Sequence, residues 1–170
     1  MARGDYDLHM EGGVSCPLGE EELFAVMDLV LHEEGVSRPC MVSLSVVSDD
    51  RMRELNGEWR GQDRCTDVLS LECERPDDPD LAPGEPCELG DVVLAPAYIA
   101  RQAEGFGTTP ADECRLLLVH GMLHLLGYDH LEEAEAQLME GREDELLALL
   151  GTDHALDHVT LTRHREGEGA

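Results

Sequence analysis

Residues 116–130 read LLLVHGMLHLLGYDH, three histidines set in and just beyond a run that is otherwise almost wholly apolar. A helix that is apolar all round belongs inside a protein. A neutral histidine buried there needs partners for both ring nitrogens. His120 and His124 are four residues apart, so on a helix they lie about 40° apart around the axis and roughly 6 Å along it. Two imidazoles at that offset can close on one ion. Gly127 ends the helix and turns the chain, and His130 follows as a third corner. Three imidazoles with a fourth position left open are the donor set of a catalytic rather than a structural zinc site. Nickel or copper would accept the same donors. Asp129 reads equally as a fourth ligand or as a second-shell partner of a histidine. His154, His158 and His164 also cluster, but in a polar tail where solvated histidines are expected.

The three offsets match the zinc-metalloprotease signature H-E-x-x-H-x-x-G-x-x-H, with Gly121 where the glutamate belongs. That glutamate takes the proton from activated water and passes it to the leaving amine. Glycine can do neither, so amide hydrolysis is poorly supported. A phosphodiester expels an easier leaving group and asks chiefly for charge neutralisation around phosphorus. A metal ion with a well-placed arginine meets that demand.

At 170 residues the chain is long enough for one domain with a proper core. It carries 38 acidic against 12 basic residues, a net charge of −26, and every basic residue is arginine. Such a surface repels nucleic acid at long range. Because the acids are spread along the whole chain, adaptation to a salty cytoplasm, or a GC-rich genome, accounts for it better than a function does. The six cysteines form no C-x-x-C pair and read as reduced thiols. No apolar run of membrane-spanning length and no secretory signal is visible, so the expected location is cytoplasmic, with no membrane partner.

Helices are expected over 20–34, from Ser48-Asp49-Asp50 through RMRELNG, from PAYIA to Gly105 or Gly107, from the Thr109 cap to Gly127, and over about 131–150. The last of these carries Leu138, Leu146, Leu149 and Leu150. Strands are expected at 40–47, where Val42, Leu44 and Val46 alternate with serines, and at 66–73 and 89–96. The proline-rich stretch RPDDPDLAPGEPC is a surface loop. The class is α+β: a small mixed sheet packed with several helices, the histidine-bearing helix central and followed by a glycine turn. Residues 1–150 form one domain and 151–170 a polar tail expected to be disordered.

A second segment stands out. Arg51, Arg53, Arg60 and Arg64 place a third of all basic residues in 14 positions. Acids at i,i+3 and i,i+4 spacing, Asp50 and Glu54, account for Arg51 and Arg53 as a solvated helix face. Arg60 and Arg64 flank a Gly-Gln-Asp turn leading into Thr66-Asp67.

Taken in order, LNGEWRGQDRCTDVLS, LGDVVL and HGMLHLLGYDH closely resemble the YbeY family of bacterial endoribonucleases, over roughly residues 20–150. The chain departs from that pattern at Gln62 and Arg64, where a lysine is usual, and at Leu71, where an aromatic residue is usual. The resemblance implies a single-strand-specific, metal-dependent endoribonuclease of ribosomal RNA maturation and ribosome quality control. It implies one zinc ion on His120, His124 and His130, with Arg60 and His120 catalytic. Arg60 and Arg64 would contact RNA, and Asp67 and Asp129 would stand behind the metal ligands as their hydrogen-bonding partners. Asn56, Asp67 and Ser70 match recurrent positions of open role, Asp67 as a possible brace for a histidine or for the arginine. The partners implied are single-stranded ribosomal RNA and the ribosome or its small subunit. The nucleophile, an activated water or the substrate's 2′-hydroxyl, stays open, as does the oligomeric state. Two other readings of the same zinc stand beside this one: a non-catalytic, zinc-stabilised ribosome assembly factor, and a zinc-dependent peptide or amide hydrolase.

Overall fold

A computed structural model describes residues 4–129 and 131–151. His130 and the tail with His154, His158 and His164 lie outside the described residues. The elements run β1 (Asp5–Met10), α1 (Glu20–Glu33), β2 (Cys40–Val46), α2 (Asp49–Arg60), β3 (Val68–Glu72), β4 (Cys87–Leu94), α3 (Pro96–Phe106), α4 (Pro110–Leu125) and α5 (Glu133–Leu149). The sheet order is β1-β2-β4-β3. β1, β2 and β4 are parallel, and the edge strand β3 runs antiparallel to β4. This is the α+β mixed sheet that the sequence implies, enlarged by one strand.

Local chemistry sets the boundaries. Ser48 Oγ accepts the Arg51 backbone N–H at 3.2 Å and opens α2, while Thr109 Oγ1 accepts that of Asp112 at 3.1 Å and opens α4. Pro110 fills the first position of α4, where a missing N–H costs nothing. Gly107, in the left-handed region, closes α3, so of the two glycines expected to end it, the later one does.

The extra strand, β1, has the sequence DYDLHM, and its tyrosine and leucine pack on the core while its aspartates and His9 face outward. Aspartate is depleted in strands. At the sheet's edge the two aspartates can point to water, which is why a stretch that reads as polar lead-in can still pair in register with Met41–Val46.

α4 is the centre of the molecule, packing against α1, α3, α5, β3 and β4. Val68, Val92 and Leu94 face it from one side of the sheet, in a core that also holds α1 and α5. Leu69, Val93 and Ala95 face the other way, where Met52 and Leu55 of α2 and Tyr98 of α3 cover them. α5 turns inward through Ala136, Met139, Glu143, Leu146 and Leu147. Leu138 and Leu149 of the expected apolar set are 68% and 59% exposed.

At Gly121 α4 packs tightly on the sheet. A Cβ there would stand 3.1 Å from both Ser70 Oγ and Val92 Cγ1. Gly121→Ala exchanges that crowding, about 1–3 kcal/mol, for about 1 kcal/mol of helix propensity. Its unfolding free energy in urea should therefore stay within about 1–2 kcal/mol of the parent. Gly121→Glu has to seat a carboxylate between helix and sheet and should lose more than about 3 kcal/mol.

Candidate metal centre and active site

The buried stretch of α4 carries His120, 1% exposed, with half-buried His124 one turn on. Their Nε2 atoms lie 3.2 Å apart, and the rings stand edge to face with centroids separated by 4.6 Å. Behind His120, Nδ1 is 2.7 Å from Oε2 of Glu143, which is itself only 3% exposed. A carboxylate can only accept, so it fixes Nδ1 as the protonated nitrogen. The Nε2 lone pair of His120 is thereby directed toward His124. A carboxylate behind the far nitrogen is the arrangement in which metal-ligating histidines are generally held.

Glu143 is the candidate-site residue that sequence reasoning missed. The signal was present: residues 136, 139, 143, 146 and 147 repeat at the spacing of an inward helical seam. An acid in such a seam demands a partner.

α5 is clamped beside this pair. Arg142 Nε bonds Glu34 Oε2, Nη1 donates to Glu145 Oε2 at 2.5 Å, and Nη2 donates to the Glu33 carbonyl at 2.6 Å. The turn after α4 lies beside the same cluster. The Tyr128 backbone N–H donates to the Leu123 carbonyl at 3.0 Å. Burial pushes the Tyr128 phenol up to about 12, helped by its hydrogen bond to Glu34. Gly127, at φ 106, leaves room for the Arg75 guanidinium, whose Nη1 would be 2.9 Å from a Cβ. Arg75, held by Glu72 at 2.9 Å, is a cation beside the turn that sequence reasoning did not single out. Asp129 follows in that turn, half-buried.

The arginine segment meets the same edge of the sheet from the other face. Arg60 is exposed at the last position of α2, and Arg64 is exposed in the connection to β3. That connection ends at Val68, whose Cγ2 would be 3.5 Å from a Cβ at Gly121. Its geometry is strongly determined. Buried Asn56 donates from Nδ2 to the Arg64 carbonyl at 2.8 Å, and Arg53 grips Asp63 through two bonds of 2.7 and 3.1 Å. Arg51 pairs with Glu54 as its spacing suggests, but Arg53 reaches across to the turn instead of to a neighbour on its own helix. Arg64 Nε donates to Gln62 Oε1 at 2.9 Å. Buried Asp67 accepts the Val68 backbone N–H at 2.7 Å, and the Ser70 hydroxyl donates to the Gly121 carbonyl at 3.3 Å. Asn56, Asp67 and Ser70 thus act as braces that shape the arginine connection and seat α4 on β3.

A buried histidine backed by a carboxylate and facing a second, half-buried histidine, on the central helix of a small mixed sheet, defines a candidate enzyme active site. The family model described as Endoribonuclease YbeY matches residues 18–151, and the chain belongs to the YbeY endoribonuclease family. A protein of that name from Moorella thermoacetica is 44% identical over 142 residues, 79% of this chain and 90% of its own length. One from Halorhodospira halophila is 41% identical over 143 residues, covering 82% and 87%. With the Rhodospirillum rubrum protein the identity is 44% over 132 residues, 78% of this chain and 64% of that longer protein. The solution structure of TM1509 from Thermotoga maritima superposes with a TM-score of 0.55 at 26% identity, covering 94% of this chain and 97% of that one.

Removing the carboxylate while leaving the histidine strands one half of a buried pair. Glu143→Ala leaves the buried Nδ1–H of His120 without its acceptor and should lower the unfolding free energy by about 1–3 kcal/mol, read by urea denaturation. Glu143→Gln, which keeps the volume, should lose less. A Glu143→Ala protein as stable as the parent would rule out this account of the pair.

Proposed function

We propose that this chain is a zinc-dependent endoribonuclease that cuts single-stranded RNA in the cytoplasm, in ribosomal RNA maturation and ribosome quality control. The observation that carries the reading is the convergence of two imidazole Nε2 atoms in a chain of this family, one with its far nitrogen taken by a buried carboxylate. Nitrogen donors with a braced tautomer suit zinc, and other divalent transition metals less specifically. His120 and His124 would hold the ion, with His130 as the third ligand. Once bound there, zinc supplies Lewis acidity and an acidified water at neutral pH.

The protein's own residues do the rest. Glu143 holds the Nδ1 proton of His120 and keeps its ring in one orientation. The connection braced by Asn56 and by the Arg53–Asp63 pair presents Arg60 and Arg64, whose guanidinium groups match two phosphate oxygens at once. Arg60 would bind the scissile phosphate and Arg64 the adjoining backbone. No side chain can occupy the space at Gly121 without displacing Ser70 or Val92, so the protease-type base has no room there.

His120→Ala should lose both bound zinc, measured by elemental analysis, and cleavage of an unstructured RNA. A variant without zinc that cuts at the parental rate would overturn the reading. Arg60→Ala should keep its zinc and its stability while cleavage falls by about 10²-fold or more, the scale of losing one group that stabilises transition-state charge. Fragments ending in a 2′,3′-cyclic phosphate would identify the substrate's 2′-hydroxyl as nucleophile, and plain phosphate ends would identify water.

A further inference from the structure

The edge strand β3 and the residues after it follow the histidine helix to the turn at its end. Alternate residues of a strand share a face, so Val68, Ser70 and Glu72 all point to the α4 side of the sheet. Val68 and Ser70 meet α4 at Gly121, where the Ser70 hydroxyl donates to the glycine carbonyl at 3.3 Å. Beyond the strand, the Arg75 guanidinium meets the chain again at Gly127. Six residues of helix span about 9 Å, and His124 lies midway between those two contacts. Being three residues after Gly121, it is a neighbour on the same flank of α4. The edge strand therefore passes His124 and leads to a cation.

Arg75 is held in place with donors to spare. Its Nη1, Cζ and Nε would stand 2.9, 3.1 and 3.5 Å from a Cβ at Gly127, so the guanidinium rests against the turn where only glycine leaves room. Nη2 donates to Glu72 Oε2 at 2.9 Å. Nε and Nη1 have no protein acceptor among the described residues, and half of the side chain is exposed. So exposed a pair contributes little to folding. A positioned guanidinium of this kind offers charge-assisted donors to a phosphate oxygen. Arg51 and Arg101 also make exposed one-bond pairs, but with Glu54 and Asp49 of α2, which covers the opposite face of the sheet.

We propose that Arg75 binds a backbone phosphate of the single-stranded RNA substrate, at the opposite end of β3 from Arg60 and Arg64. The proposal rests on the endoribonuclease reading and adds the path the substrate takes. The strand follows the edge of β3, about 13 Å from Val68 to Glu72, and crosses His124 between its two anchoring points. A cationic path that tracks the backbone holds a single strand whatever its sequence. Arg75 thus sets affinity and placement and takes no part in bond breaking. Glu72 is its partner in the free protein and the competitor that a phosphate displaces.

The test takes zinc-loaded full-length protein and a short unstructured RNA. Steady-state cleavage is measured on the RNA, and binding across a salt series on its 2′-O-methyl phosphorothioate analogue, which resists cleavage. Arg75→Ala should keep its zinc, raise KM about tenfold and leave kcat within about twofold. Its affinity for the analogue should fall by a similar factor. The slope of log affinity against log salt should become shallower by about 0.7, the contribution of one phosphate contact on a single strand. Arg75→Lys should recover the slope and part of the affinity. Glu72→Gln, which removes the competing carboxylate, should bind more tightly than the parent. Arg101→Ala, an equal loss of charge on the opposite face, should change neither affinity nor slope. If the parent binds and cuts RNA but Arg75→Ala matches it in affinity and slope, the proposal alone is overturned. The same holds if Arg101→Ala weakens binding as much, or if Glu72→Gln binds no more tightly than the parent. That last measurement leaves Arg75 in place, so misfolding of Arg75→Ala cannot mask the result. A parent that binds no RNA overturns the proposal together with the reading beneath it.

Discussion

The hydrogen bond from His120 to Glu143 joins α4 to α5 through two side chains that water does not reach. A buried carboxylate is expensive to desolvate, and a single bond to a neutral imidazole repays only part of that cost. Much of the surrounding structure makes sense as the support this pair requires. Arg142, next to Glu143 in sequence, fastens α5 to the end of α1 through Glu34 and the Glu33 carbonyl. The same Glu34 raises the pKa of the Tyr128 phenol, so the turn that follows the histidine helix lies beside the cluster that positions the carboxylate. A core built for stability alone would place an apolar side chain at 143. Retaining the acid is economical if the ring it orients has work to do, and a divalent ion on Nε2 would recover the desolvation cost.

Gly121 changes the weight of the opening argument. Read from sequence, its place in a protease-like signature suggests chemistry that dispenses with a carboxylate base. In the fold, a Cβ at this glycine would crowd Ser70 and Val92, and the Ser70 hydroxyl binds its carbonyl. Packing alone is then a sufficient reason for glycine. The absence of a base is a consequence of how α4 is seated on β3. The case for phosphoryl chemistry rests instead on family membership and on the arginine connection, which the same edge strand brings round from the opposite face.

Much of this was legible in the residues. The alternation of Val42, Leu44 and Val46, the caps at Ser48 and Thr109 and the apolar run around His120 each specify their element locally, and each sits where its pattern indicates. What escaped depended on partners distant in sequence. β1 becomes a strand because β2 offers it a ladder, while its own aspartates argue against one. On α5, the leucines at 138 and 149 suggested an inward face that tertiary packing does not use. Taking Leu138 as an anchor rotates the helix by one residue, and that rotation alone moves Glu143 from the seam to the surface. The candidate site was therefore readable on α4, where ligands are close in sequence, but unreadable where the support came from another helix.

The charge of −26 must coexist with an anionic substrate, and the arrangement of arginines indicates how. Arg51, Arg53, Arg75, Arg101, Arg115 and Arg142 each form an ion pair with a protein carboxylate, so much of the basic complement serves the fold. Repulsion from the remaining acids acts through solvent and is screened within about 8 Å at physiological ionic strength. Bidentate contact between a guanidinium and a phosphate acts at hydrogen-bond range and survives that screening. An acidic member of this family would then lose long-range steering, and with it association rate, before it lost the local contacts that set specificity. On this argument raised salt has two opposing effects on RNA binding. It weakens the arginine–phosphate contacts, as for any such protein, while relieving the general repulsion. Under the role proposed for Arg60 the first dominates near its connection, the second everywhere else. A shallow dependence of RNA affinity on salt is the physical consequence.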